Sequence, residues 1–229
     1  MPRLDRYLSK QVGINRKEVR RVLAQGRVKV SGVVATDVAQ VITVFSHITF
    51  DGKILQANTP RYLMLHKPAG VVSATIDDTH RTVIDLLDQA FKDQLHIVGR
   101  LDFNSTGLVL LTNDGQWSRR LSQPDSKLLK RYRVSVEKPL TQEYITAFNE
   151  GMYFEFEGIT TRPAQLTIIN EYAAEVGLTE GRYHQIKRMF GHFNNKVLRI
   201  HRFAVGGLEL GDLALGQCRT LTEIELKNI

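Results

Sequence analysis

The chain has 229 residues, 42% hydrophobic and 24% charged, a balance that allows a buried core and two domains and excludes a disordered or fibrous protein. Its formal net charge is +7, and the excess is uneven: residues 1–60 hold ten Lys/Arg against four Asp/Glu, and residues 61–229 hold 21 against 20. No apolar run approaches the roughly 18 residues a membrane span needs, and the charged opening MPRLDRYLSK is unlike a secretory signal, so a cytoplasmic protein without membrane attachment is expected.

The first expected element is a short helix over residues 4–9. A second helix begins after Asn15, a good N-cap, with Glu18 three residues on to close a capping box. Val19, Val22 and Leu23 follow at helical spacing, Gly26 supplies the stop, and a short strand over residues 28–30 turns at Ser31-Gly32. Arg16, Lys17, Arg20 and Arg21 therefore project from one helix, and Arg27 and Lys29 carry the basic patch into the strand. A solvated helix face is the plain reading of such a patch. These cations lack interleaved carboxylates, however, which points to neutralisation from outside by phosphate. RLDRYLSK followed by INRKEVRRVLAQGRVKVSG resembles the S4 RNA-binding domain over the first quarter of the chain. That resemblance implies RNA contacts for Arg3, Arg16, Lys17, Arg20, Arg21, Arg27 and Lys29.

KILQANTP, residues 53–60, is polar, aperiodic and ends in proline, and reads as a linker between a domain over 1–58 and a second over 59–229. Strand-like runs then recur: YLMLH, GVVSA, GLVLLTN, RYRVSVE, AQLTII and EYAAEVGL. Helical patterns fall at 83–87, 116–121, 143–148 and 184–193. Strands joined mostly by turns, with helices inserted irregularly, predict an α+β domain on a mainly antiparallel mixed sheet.

The chain has no Walker A loop, no G-x-G-x-x-G after a strand, no H-E-x-x-H and no paired cysteines, so neither nucleotide hydrolysis nor a metal site has sequence support. Cys218 reads as an inert structural thiol. The seven histidines are scattered, and His184, His192 and His201 lack ligand spacing and read as structural or RNA-contacting.

VGRLDFNSTGLVLLTNDG, residues 98–115, is a polar, turn-rich loop feeding an apolar strand, the place where a rigid scaffold can present a reactive side chain. Read by itself, Asp102 could be a turn residue accepting backbone hydrogen bonds, and Asp114 reads as a helix N-cap. GRLD followed by STGLVLLTNDG resembles the signature of the RsuA-type pseudouridine synthases, which implies that Asp102 is the catalytic carboxylate. Three further runs match that family in order. Lys67-Pro68-Ala69-Gly70 corresponds to its K-P-x-G turn, expected to shape the pocket wall. Lys130 to Val134 (KRYRV) matches its K-x-Y-x-V strand, which implies that Tyr132 lies against the target base. EGRYHQIKRMF, residues 180–190, places Lys187 as the cation paired with the catalytic carboxylate, where relatives often carry arginine. Ile186, Met189, Phe190 and Phe193 recur at i, i+3, i+4 and i+7 and are the buried face of that helix.

The reaction implied breaks N1–C1′, rotates the base and joins C5 to C1′. A carboxylate can serve by covalent attack or by removing a ribose proton to give a glycal, and both routes stay open. The target uridine must be extruded. Arg100 is the candidate for supporting its phosphate or filling the vacated stack, unless it braces its own loop. No cofactor is expected. The domain layout, an S4-like segment and no basic tail, implies a 16S ribosomal RNA substrate, possibly within an assembling subunit, acted on by a monomer. A 23S substrate and a non-catalytic assembly factor are the alternatives.

Overall fold

A computed structural model describes residues 3–123 and 126–229, and its contacts divide the chain into units of residues 1–60 and 61–229. In the first unit, helices α1 (Leu4–Val12) and α2 (Arg16–Ala24) pack on a sheet of β1 (Val28–Val30), β2 (Val33–Val34), β3 (Ile48–Phe50) and β4 (Lys53–Gln56), ordered β2-β1-β3-β4. Asn15 caps α2 as its sequence predicts, accepting from the Lys17 and Glu18 amides while Glu18 accepts from the Asn15 amide. Gly26 then takes a left-handed φ of 69°, which ends the helix. Leu4, Leu8, Val19, Leu23, Val28 and Ile48 bury the apolar side of both layers.

One expectation for this unit is corrected. Residues 53–56 are not linker, because Asp51-Gly52 makes a tight turn with positive φ at both residues and returns the chain as β4, paired antiparallel to β3. An Asp-Gly pair is a hairpin signal; the polar side chains of an edge strand obscured it.

The second unit is built on a sheet of β5 (Tyr62–Lys67), β6 (His96–Val98), β7 (Thr106–Thr112), β8 (Lys130–Val136), β11 (Gln165–Asn170), β12 (Ala173–Leu178), β13 (Val197–Val205), β14 (Leu208–Glu209) and β15 (Cys218–Thr220). Its main path runs β11-β12-β8-β13-β7-β5-β15; β6 pairs with β7 and β14 with β13. Among the described strands only β13 and β7 pair in parallel, so the sheet is mixed but mainly antiparallel, as the strand pattern predicts. Helices α3 (Gly115–Ser122), α4 (Gln142–Glu150), α5 (Gln185–Gly191) and α6 (Glu223–Lys227) and the hairpin of β9 (Tyr153–Phe154) and β10 (Ile159–Thr160) complete it.

The uninterrupted apolar run of β7 follows from cover on both sides. Val109 and Leu111 join the core beneath α4 and α5, with Tyr144, Phe148, Met189 and Phe190. Leu108 and Leu110 join a second core with Trp117, Leu121 and Val205. Two segments depart from expectation. Residues 70–74 form no strand, and only Val72 bridges to Thr82. Residues 83–87 form bends and a turn rather than a helix, although Val83, Ile84 and Leu87 are buried: Thr82 and Asp85 exchange side-chain and backbone hydrogen bonds that close a single turn which does not continue.

Candidate active site

Strands β6 and β7 pair from Val98 with Leu110, so residues 99–105 are the loop of a hairpin at the centre of the sheet, and Asp102 sits at its middle. Five of the loop's seven backbone carbonyls accept from a donor outside it. Arg202 of β13 donates to the Gly99 carbonyl at 2.8 Å, to Arg100 at 3.4 Å and to Leu108 at 2.8 Å. Ser73 brackets Leu101, donating to its carbonyl at 2.7 Å and accepting from its amide at 3.0 Å. Lys67 donates to the carbonyls of Pro68, Phe103 and Ser105 at 2.9, 3.1 and 2.7 Å. The Asp102 carbonyl accepts from the Ser105 amide at 3.0 Å. With its backbone fixed in this way, the Asp102 side chain is left to face the cleft.

Lys67 and Arg202 are both buried, at 0% and 2% exposure, and among the described residues neither has a carboxylate within salt-bridge range. Their charge is met by carbonyl dipoles instead, an arrangement that suits a buried cation only when its donors are used. Burial, and to a lesser extent the neighbouring Arg202, pull the Lys67 ammonium down to about 8 despite the opposing pull of Asp102.

Asp102 itself is about one-third exposed and paired. Lys187 Nζ lies 3.0 Å from its Oδ2, and His184 Nε2 lies 3.6 Å from its Oδ1. Both come from one turn of the chain: Ile186, Met189 and Phe190 pin α5 into the core, and Lys187 is directed to the cleft. His184 opens the helix in the left-handed conformation, φ 49° and ψ 31°. Tyr132 lies on the inward face of β8 with Val134 and Val136. It is 93% buried and lines the same cleft of about 760 Å³ as Asp102, Lys187, His184, Arg182 and Lys130.

Arg100 lines the cleft too, with an exposed side chain. Lys67, expected to shape the pocket wall, is not among the residues lining the cleft; it is fully buried and anchors the loop from beneath. Sequence reasoning missed Arg202, Ser73 and the proximity of His184. The first had a signal: Ile200, Arg202 and Ala204 occupy alternate inward positions of β13, so an arginine in that series must be buried and satisfied. Asp114 caps α3 through the Gln116 and Trp117 amides, as expected. Cys218, in β15, accepts from Gln89, and burial pushes its thiol up, away from the reactive thiolate.

In the first unit, the absence of local carboxylates is corrected. Arg27 makes a two-pronged pair with Asp51 at 2.7 and 2.5 Å and lies over the Phe50 ring. Arg3 pairs with Asp5 at 2.7 Å, and Arg16 approaches the same carboxylate at 3.8 Å. Burial alone would raise Asp5, but its bonds to Arg3 and the Arg6 amide outweigh that and lower it. These acids lie outside the helix face, which is why the helical spacing hid them. Lys17, Arg20, Arg21 and Lys29 are exposed and have no carboxylate within 4 Å among the described residues. No group of three or more possible metal ligands occurs among the described residues, and no helix there is long and apolar enough to cross a membrane.

The sequence matches the RNA pseudouridylate synthase family over residues 61–192 and the S4 domain over residues 2–48. It is 49% identical to ribosomal small subunit pseudouridine synthase A of Pseudomonas aeruginosa, over 99% of this chain and 100% of that one. The protein of the same name from Escherichia coli K12 is 39% identical over 99% of each. Among solved structures, a pseudouridylate synthase superposes with a TM-score of 0.72 at 36% identity, covering 100% of this chain and 99% of its own.

Proposed function

The chain belongs to the RNA pseudouridylate synthase family, and from that premise we propose that it isomerises one uridine of 16S small-subunit ribosomal RNA, with Asp102 as the catalytic carboxylate. The observation that carries the reading is the Lys187–Asp102 pair at 3.0 Å beside the buried Tyr132 in one cleft. Lys187 pairs with the carboxylate and aims it into the cleft, and Tyr132 supplies the plane against which an extruded uracil rests. Asp102 either attacks covalently or takes the ribose proton; in both routes C1′ moves from N1 to C5, C5 releases its proton and N1 gains one. Atoms and electrons balance within the nucleotide, so the isomerisation requires no redox partner.

The substrate is ribosomal RNA, brought in by the S4 domain through Lys17, Arg20, Arg21 and Lys29, with Arg3, Arg16 and Arg27 contributing from pairs already formed with Asp5 and Asp51. Arg100, exposed at the cleft, supports the target phosphate or fills the vacated stack. One chain carries every residue of the site, and we take the enzyme to act as a monomer in the cytoplasm, on the RNA of an assembling subunit.

Uridine tritiated at C5 provides the test. The wild-type protein is expected to free tritium from 16S RNA and Asp102→Asn to free none while still binding. No tritium freed from any ribosomal RNA would overturn the enzyme assignment, and loss of modification only from 23S RNA in cells lacking the protein would overturn the substrate.

A further inference from the structure

At the mouth of the cleft, the Tyr183 ring stacks on the His184 ring with centroids 3.9 Å apart and planes 22° from parallel. The inner ring of this pair faces Asp102, 3.6 Å away. The outer ring is 76% exposed, so one face is covered by His184 and the other is open to solvent. Both residues line the cleft. The arrangement depends on His184 holding a left-handed backbone, which non-glycine residues seldom adopt and which recurs at functional sites. Arg188 steadies the turn from behind, approaching the Tyr183 carbonyl at 3.5 Å while gripping Glu157 of the β9–β10 hairpin at 2.6 and 2.5 Å. Arg182, paired with Glu180 at 3.1 Å, and Lys187, paired with Asp102 at 3.0 Å, line the cleft beside the two rings.

We propose that the open face of Tyr183 is a stacking platform for a nucleobase next to the extruded uridine in the RNA. This rests on the reading of the cleft as the uridine site. When a nucleotide leaves the stack, its neighbours lose a stacking partner. An aromatic plane flanked by cations replaces it without regard to base identity, as in single-strand binding sites. The two rings thus form a short column from the catalytic carboxylate outward, with a third place waiting in the RNA. Aromaticity is what the position requires; the Tyr183 hydroxyl makes no hydrogen bond among the described residues that this role would need.

The test is a coupling measurement with the full-length Asp102→Asn protein, expected to bind without turnover, and a 16S fragment spanning the target. In a series of fragments, each nucleotide flanking the uridine is made abasic in turn. At one flanking position, loss of the base is expected to weaken binding on the order of tenfold to a hundredfold. Tyr183→Leu should lose the same factor with intact RNA and become indifferent to that abasic site, while Tyr183→Phe keeps both affinity and sensitivity. Leucine binding intact RNA as tightly as tyrosine, or remaining equally sensitive at every flanking position, would overturn the proposal. Tritium release by the protein with Asp102 intact separates the two ideas: turnover without coupling removes the platform alone, and absence of turnover removes the reading beneath it.

Discussion

Arg202 Nη2 donates to the Gly99 carbonyl at 2.8 Å, joining residues 103 positions apart and fixing the entry to the Asp102 loop. Removing the guanidinium strands the Gly99 and Leu108 carbonyls in a buried setting. Arg202→Ala should therefore lose about 3 kcal/mol of stability, the scale of two charge-assisted bonds. Arg202→Lys keeps the charge but not the fork, so it should melt closer to wild type while kcat falls at least about tenfold and KM changes little. Melting curves and tritium-release kinetics check both; an unchanged kcat in the lysine variant would count against a positioning role.

Lys187→Ala leaves Asp102 with His184 alone. We expect kcat to fall on the order of a hundredfold or more, the usual cost of deleting one preorganised charge from an active site. Lys187→Arg should recover most of it. Comparing kcat on one RNA fragment decides the matter.

Lys67 makes activity depend on pH. Its ordinary value of 10.5 is brought to about 8 in the fold. The charged form has three hydrogens for three carbonyls; above about pH 8 the neutral amine has two, and one loop carbonyl loses its donor. Turnover should decline through that range. Stability moves the opposite way, because between pH 8 and 10.5 the unfolded chain binds a proton that the folded chain has released, so rising pH favours folding there. A kcat profile flat to pH 10 would refute this.

Gly107→Ala should be among the most damaging single changes in the catalytic unit. At φ 114° an added Cβ would lie 2.2 Å from the Arg202 carbonyl oxygen, so the β7–β13 pair would have to separate. A loss above about 3 kcal/mol is expected, read as a lowered denaturation midpoint.

Arg20 and Arg21 test the basic helix. Both are exposed with no acid within 4 Å among the described residues, so reversing both to Glu should weaken RNA binding and flatten the dependence of log K on log salt by about 1.4 to 1.8. Arg27→Gln should act differently, costing stability through Asp51 as well as affinity. Affinities across a salt series separate the two behaviours.

Much of this was legible in the sequence because the relevant strings are contiguous. The capping box at Asn15 and Glu18, the loop feeding β7, and the buried face of α5 each declare themselves within a dozen residues. That Asp102, Tyr132 and Lys187 line one cleft could be inferred only through family resemblance, since no local pattern links a loop, a strand and a helix. Arg202 was overlooked, and Lys67 was assigned to the pocket wall rather than to the loop, for one physical reason: both are buried cations, and the carbonyls that satisfy them come largely from elsewhere in the chain. Residues 83–87 misled because burial of Val83, Ile84 and Leu87 mimics a helical face while the Thr82–Asp85 turn forbids a second turn.

The pairing of β13 with β7, parallel where the other described strand pairs are antiparallel, brings Arg202 to the entry of the Asp102 loop, made 103 positions earlier. A ribosome making this protein finishes Asp102 long before it supplies Arg202, so the nascent polypeptide carries its carboxylate on a hairpin that Lys67 and Ser73 can hold but whose Gly99 and Leu108 carbonyls still lack their donor. The loop gains its last donors only when β13 slots between β8 and β7, strands that are already made.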